Sequence, residues 1–270
     1  MIKKCLISLI VITFYLFSFY LVSQDQPIGT FSKKHQDAKI LPPLTLLKAV
    51  SGEFNSILSE IFFAYGSVLV GSIDQSSTKE DWKYSYQVIK LSRDLDPYFK
   101  DPYTMVQGIY PWKPKMINET ISFLKKGITF RTWDTYIPYY IGFDYYFFLN
   151  NYKESADYLF MSAKKSHDPT MSSLAAKMAS DGGDVETGLT FLTNMNTDSL
   201  TGPMRNTINM RIEALKGVQL LQKAIKQYEK IYNKRPDNLE ALVAKGIIHK
   251  IPENPYKTTY KLEKNYIKFD

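Results

Sequence analysis

Three histidines, one cysteine and a group of aspartates are the residues of this 270-residue chain whose chemistry could go beyond packing. His35, His167 and His249 lie far apart, and none has a second ligand at the spacing a metal ion needs. Cys5 is the only cysteine, which excludes an intramolecular disulfide, a redox thiol pair and a cysteine cluster for zinc. Serine and histidine come close in "SKKH" (32–35) and "KSHDP" (165–169), but neither has the glycine-flanked serine of a nucleophile elbow. Neither a glycine-rich phosphate loop nor an "HExxH" metal motif occurs. Asp94, Asp96 and Asp101 gather around Pro97, where aspartate before proline at a helix exit is ordinary turn chemistry. The sequence therefore predicts a protein that is not an enzyme, with no catalytic residue, no cofactor and no metal.

Aromatic side chains are the other candidates, and their chemistry would be binding. The chain holds 20 Tyr and 16 Phe, concentrated in "YYIGFDYYFFLNNYKESADYLF" (139–160). The apolar part of this stretch, 137–149, is 13 residues with Pro138 and Asp144 inside it, too short to cross a bilayer. Most rings at such spacing fill a core. Tyr136, Tyr139, Phe143 and Tyr146 share a helix face, and are the residues expected to line a groove for a protein partner.

Helices must position them. Short amphipathic stretches begin near Trp82, Ile117, Tyr152 and Val185, and each has one small position: Ser85, Thr120, Ala156 and Gly188. Four residues later each has a large apolar one: Ile89, Leu124, Phe160 and Leu192. Three further on come Ser92, Gly127, Ala163 and Met195, of which the first three are small again. The repeat distance is about 34 residues, which marks stacked helix-turn-helix units that bury their apolar faces only against neighbours. Thr78 ahead of Glu80 and Asp81 reads as a helix N-terminus.

Gly142, Tyr145, Ala156, Phe160 and Pro169 follow the order of small, aromatic and exit-proline positions in one unit, with Gly108 and Pro97 in others. On these residues the chain, over about 55–200, resembles the tetratricopeptide repeat family. It departs from that pattern in the distance between Tyr152 and Ala156, one residue too long, in Asn150-Asn151 where a turn glycine is usual, and in Thr132 where an exit proline would stand. The resemblance implies an all-α, tetratricopeptide-like helical-hairpin repeat solenoid whose first helices face a concave groove, and a scaffold that binds protein partners without chemistry.

The ends differ from the middle. Lys3 and Lys4 precede an uncharged run, 5–23, of 19 residues, which as a helix would rise about 28 Å and match a bilayer core. The lysines place 24–270 outside the cytoplasm. The run reads as a retained signal anchor, with a cleaved signal peptide as the alternative. Residues 24–40 read as a tether, 41–200 as the helical-repeat domain, 201–234 as a long amphipathic helix broken near Gly217, and 235–270 as a C-terminal cap. The long helix carries Arg205, Arg211, Lys216, Lys223, Lys226 and Lys230 on what reads as a solvated face, or one touching anionic lipid or an acidic partner. In the cap, alternation in "TTYKL" and "YIKFD" predicts a small β-hairpin turning at Lys264-Asn265. Leu242, Gly246, Ile251, Pro252, Asn254, Pro255 and Tyr260 resemble the tail of type II secretion major pseudopilins, although Asn254 replaces an acidic residue, Lys257 replaces a small one, and the N-terminal processing signal of that family is missing.

Formal net charge is +7, and export removes the chain from nucleic acid. Together the two resemblances and the N-terminus imply a single-pass protein of the bacterial inner membrane, or a periplasmic one after cleavage, that meets a protein partner in the cell envelope. The alternatives are a subunit of a pilus-like assembly and a periplasmic ligand-binding protein or enzyme.

Overall fold

A computed structural model describes residues 13, 40–74, 77–195, 197–198, 200–263 and 266–269. Apart from residue 13 and residue 40, the expected anchor and tether lie outside the described residues, as does the Lys264-Asn265 turn. The chain divides into two compact units, Met1–Pro43 and a larger one, Leu44–Asp270.

That unit is mostly helical: α1 (Leu44–Ser51), α2 (Asn55–Ser72), α3 (Lys79–Leu95), α4 (Asp101–Ile109), α5 (Ile117–Phe130), α6 (Tyr136–Phe147), α7 (Tyr152–Ser166), α8 (Pro169–Asp181), α9 (Val185–Thr193), α10 (Gly202–Tyr232) and α11 (Glu240–Ala244). Two short antiparallel strands, β1 (Lys261–Leu262) and β2 (Ile267–Lys268), follow. Helix starts are set by side chains that satisfy the free backbone N–H groups of the first turn. Thr78 and Asp81 form a reciprocal capping box at α3. Asp134 Oδ1 accepts from the backbone N–H of Tyr136 and Ile137 at 2.8 and 3.2 Å, and so starts α6. Asn151, Asp168 and Asp184 cap α7, α8 and α9. The predicted Asn150-Asn151 turn is present, with Asn150 left-handed at φ 50°, a region that asparagine tolerates better than most residues.

Neighbouring helices run antiparallel. Ser59 of α2 donates to the Ser92 carbonyl at 2.8 Å while Gly66, further along α2, lies against Ile89, earlier in α3. In the same sense Ser162 of α7 donates to the Thr135 carbonyl at 2.7 Å, and Gly142 of α6 lies against Leu159 and Ser155. Alternate helices run parallel. Tyr86 and Arg93 of α3 donate to the carbonyls of Glu119 and Phe123 on α5, in the same order along both helices. The linking loops are joined likewise. Arg131 donates to the Tyr98 carbonyl and Lys165 to the Thr132 carbonyl, each pair 33 residues apart, as are Tyr86 and Glu119. Three cation-to-carbonyl or hydroxyl-to-carbonyl bonds thus repeat at the period that the small and large residues mark in the sequence.

Those marked positions are all interior. Ser85, Thr120, Ala156 and Gly188 are buried, and so are Ile89, Leu124, Phe160 and Leu192. One core gathers Ile89, Tyr103, Tyr110, Phe123, Leu124 and Ile141 from α3 to α6. Leu159, Phe160, Ala175 and Met178 join α7 to α8. A third unites α9 and α10 with the tail through Leu192, Leu215, Val218, Leu242, Tyr260 and Phe269.

Three details differ from expectation. The break expected near Gly217 is absent: helix α10 runs continuously through Gly217, and the Tyr260 ring packs where its side chain would stand. Of "TTYKL" only Lys261 and Leu262 are strand; Tyr260 instead turns into the core and donates from Oη to the Ala214 carbonyl at 3.0 Å. The basic stripe on α10 is also interrupted. Arg211 turns inward over the Tyr256 and Phe269 rings, at 4.9 and 5.2 Å, and donates to Ser173 Oγ, while Arg205 is bonded to the Thr197 and Asp198 carbonyls.

At the other end, the helical stretch Leu44–Ser72 is long and apolar enough to cross a membrane, with a mean hydropathy of 1.3 over an 18-residue part of it. Within α2 the buried residues are the small ones, Ser59 and Gly66.

Candidate functional site

Helix α6 carries the four residues expected to line a groove. Tyr136 and Tyr146 are exposed; Tyr139 and Phe143 are half-buried. Tyr136 begins the helix and has the Lys100 ammonium 5.5 Å from its ring centre, a cation–π distance at an exposed site. Phe143 stacks on Phe147 at 5.3 Å with the rings 11° apart. Tyr139 leans into the α7–α8 core, and Tyr146 meets Tyr152 across the turn at 6.0 Å. The helix therefore presents Tyr136, Phe143 and Tyr146, with Tyr139 mainly a packing residue.

Sequence spacing missed the larger part of this face. Trp112, 59% exposed, lies 5.5 and 4.9 Å from the rings of Phe147 and Phe148, with Phe147 itself half exposed. Trp112 sits in a one-turn 3-10 helix, Tyr110–Trp112, that follows α4 and is fixed by its Pro111. Near the start of α6, Tyr98 and Trp133 lie parallel at 6.1 Å, with the Arg131 guanidinium 5.5 Å from the Trp133 ring. Both sit in the loops that the 33-residue bonds tie together. A signal was present: Trp112 and Trp133 are two of the three tryptophans, and both fall in helix-breaking sequence that leaves a large ring at the surface.

Beneath the face lies a buried carboxyl. Asp144 is fully buried, and Gln107 Nε2 donates to its Oδ1 at 2.8 Å. Burial pushes the Asp144 carboxyl up to about 7, against the opposing effect of that hydrogen bond.

The remaining chemical candidates resolve into structure. His167 ends α7 in the left-handed region at φ 54°, Ser166 accepts from the Asp168 N–H, and Asp168 caps α8, so "KSHDP" is a turn. "SKKH" lies outside the described residues. Asp94 is pushed up by partial burial, yet Lys126 and Arg93, at 2.8 and 2.7 Å, outweigh this and hold its carboxyl below its ordinary value. Asp96 accepts from the Tyr98 N–H, and Asp101 opens α4. Among the described residues no group of three histidine, cysteine or acidic side chains is placed to hold a metal ion.

An open hollow of about 720 Å³ lies between the end of α7 and α9, with Phe191 and Met195 as its apolar lining and Lys164, His167 and Glu186 at the surface. No family model, curated protein or solved structure matches this chain.

Proposed function

We propose that this protein is a membrane-tethered, tetratricopeptide-like helical-repeat scaffold of the bacterial cell envelope, with 24–270 outside the cytoplasm, and that it holds a protein partner on the aromatic face of α6. The observation that carries this reading is the row of exposed rings from Tyr136 to Trp112, mounted on helices that are themselves rigidly cross-bonded. Rigid aromatic side chains lose little freedom on binding, which suits them as anchors for an apolar segment. Lys100 beside Tyr136 adds one cation, so a partner segment with apolar anchors and an acidic residue near one end fits best. Support also comes from the register of 33 residues and from the buried small and large positions, which is how stacked helical hairpins hold together. Chemistry is not required of any of these groups.

A photoreactive phenylalanine derivative at Tyr136 or Tyr146, placed in the full chain in cells, tests this. A discrete crosslinked protein is expected, lost when Trp112→Ala and Phe147→Ala are combined in the same chain. Crosslinks that persist unchanged in that double variant, or none at all, would count against the groove. The tail supports a capping role in the same scaffold, because Tyr260, Ile267 and Phe269 belong to the core of α10.

A further inference from the structure

Helices α1 and α2 carry apolar side chains that no described residue of the unit covers. Leu46 and Val50 of α1, Phe54 of the 3-10 turn Gly52–Phe54 that links the helices, and Ile57, Ile61 and Val68 at steps of four and seven on α2 are 52–78% exposed. A stripe of this kind in water needs an occupant. From this geometry we infer that the occupant is the lipid bilayer surface, with α1 and α2 lying in the plane of the outer leaflet and the stripe sunk to the boundary between headgroups and acyl chains. The inference rests on the tethered reading above.

Three observations favour lipid. First, the stripe opens the folded unit directly after the segment that holds the uncharged run. In the sequence only 20 residues, 24 to 43, separate α1 from that run. Second, the opposite side of α2 is packed on α3 through Ser59 and Gly66, and α3 exposes Lys79, Glu80, Lys83 and Lys90 to solvent. Although Leu44–Ser72 is long enough to span, a helix with that polar partner on its back can immerse only its outer face. Third, a second copy is the poorer occupant. Antiparallel docking centred on Ile57 and Ile61 would bring Glu60 beside its own equivalent, a like-charge contact.

The test uses the full chain with Cys5→Ser, reconstituted in phosphatidylcholine vesicles, carrying one cysteine labelled with an environment-sensitive nitrobenzoxadiazole. Positions are Ile57→Cys, Ile61→Cys and Val68→Cys on the stripe and Lys90→Cys on α3 as control. The protein should float with the vesicles, and nitroxide-bearing lipids should quench the three stripe labels several-fold more than the control. Flotation with stripe labels quenched no more than Lys90→Cys would overturn the lipid occupant and leave the tether standing. Stripe labels that escape lipid quenching but shift to the blue as protein-to-lipid ratio rises would replace lipid by a second copy. Failure to float would overturn the tether and the inference together.

Discussion

Asp144 and Gln107 are joined by a single hydrogen bond, and the oxygen that each has left over, Asp144 Oδ2 and Gln107 Oε1, is buried with no partner. A proton on Oδ2 satisfies both at once, because the carboxyl O–H can donate to Oε1 and close a two-bond pair between α6 and α4. The raised carboxyl, at about 7 against an ordinary 3.8, agrees with that arrangement.

The pH dependence of stability follows from the sign of this shift. Between about pH 4 and pH 7 the folded chain keeps a proton that the unfolded chain has lost, so the contribution of Asp144 is full below that window and is lost as pH rises through it. Asp144→Asn supplies a permanent N–H donor to Oε1 and should remove this part of the slope. In urea unfolding the variant is expected to exceed the parent by about 1–3 kcal/mol at pH 8, with the advantage shrinking at pH 5. Equal slopes in the two proteins would sink the idea.

Gly142 and Gly108 should respond in opposite directions to alanine. A methyl group at Gly142 would meet Leu159 Cγ at 2.7 Å and the Ser155 carbonyl at 3.0 Å, where α6 and α7 approach most closely. Overpacking there is expected to cost roughly 1–3 kcal/mol. At Gly108 the same methyl meets nothing, and the better helix propensity of alanine should add about 0.5–1 kcal/mol. Thermal unfolding of the pair, read side by side, decides it.

Tyr260 ties the tail to the middle of α10. Tyr260→Phe removes its bond to the Ala214 carbonyl and should cost about 1 kcal/mol. Tyr260→Ala also empties the space above Gly217, and a loss of about 3–5 kcal/mol is expected, as for other large buried rings. Hydrogen exchange should show the protection of residues near Val218 falling in step. Unchanged exchange on α10 would mean that the tail is a passive appendage.

Arg93 is an interior cation, 3% exposed, shared between Asp94 and the Phe123 carbonyl and set 4.2 Å from the Phe123 ring centre. Arg93→Met keeps most of the apolar volume but strands the carbonyl. A loss of about 3 kcal/mol is expected, at the lower end for a broken buried pair because Lys126 still neutralises Asp94. Denaturant titration with Lys126→Gln as a second variant, alone and combined, measures how far the two cations substitute for each other.

Helical periodicity made much of this fold legible. Thr78 and Asp81 behave as the capping rules require, Asn150-Asn151 turns the chain, and Ser85, Thr120, Ala156 and Gly188 are buried, whereas Gly108, read as another small contact position, is exposed with open space beside it. Long-range pairings were not readable. Gly217 looked like a break because nothing local shows that Tyr260, 43 positions later, occupies the place of the missing side chain. Arg211 looked like one of a solvated row because its ring partners, Tyr256 and Phe269, come from the far end of the chain. On the aromatic face the helix positions were found by spacing, whereas Trp112 sits in a one-turn 3-10 helix and Trp133 in a loop, where no period points to a surface.

The bonds that tie Tyr98 to Arg131 and Thr132 to Lys165 have a kinetic consequence. In each the acceptor comes first in the chain and the cation follows 33 residues later, and even the Tyr260 bond reaches back only 46. Bonds so short along the sequence cost little loop-closure entropy, whereas the tail closes longer loops, with Tyr266 packed on Tyr152 and Phe269 beneath Lys177. Each segment leaving the ribosome also meets a surface already waiting to receive it, which gives the assembly a direction of growth from its first helix to its last.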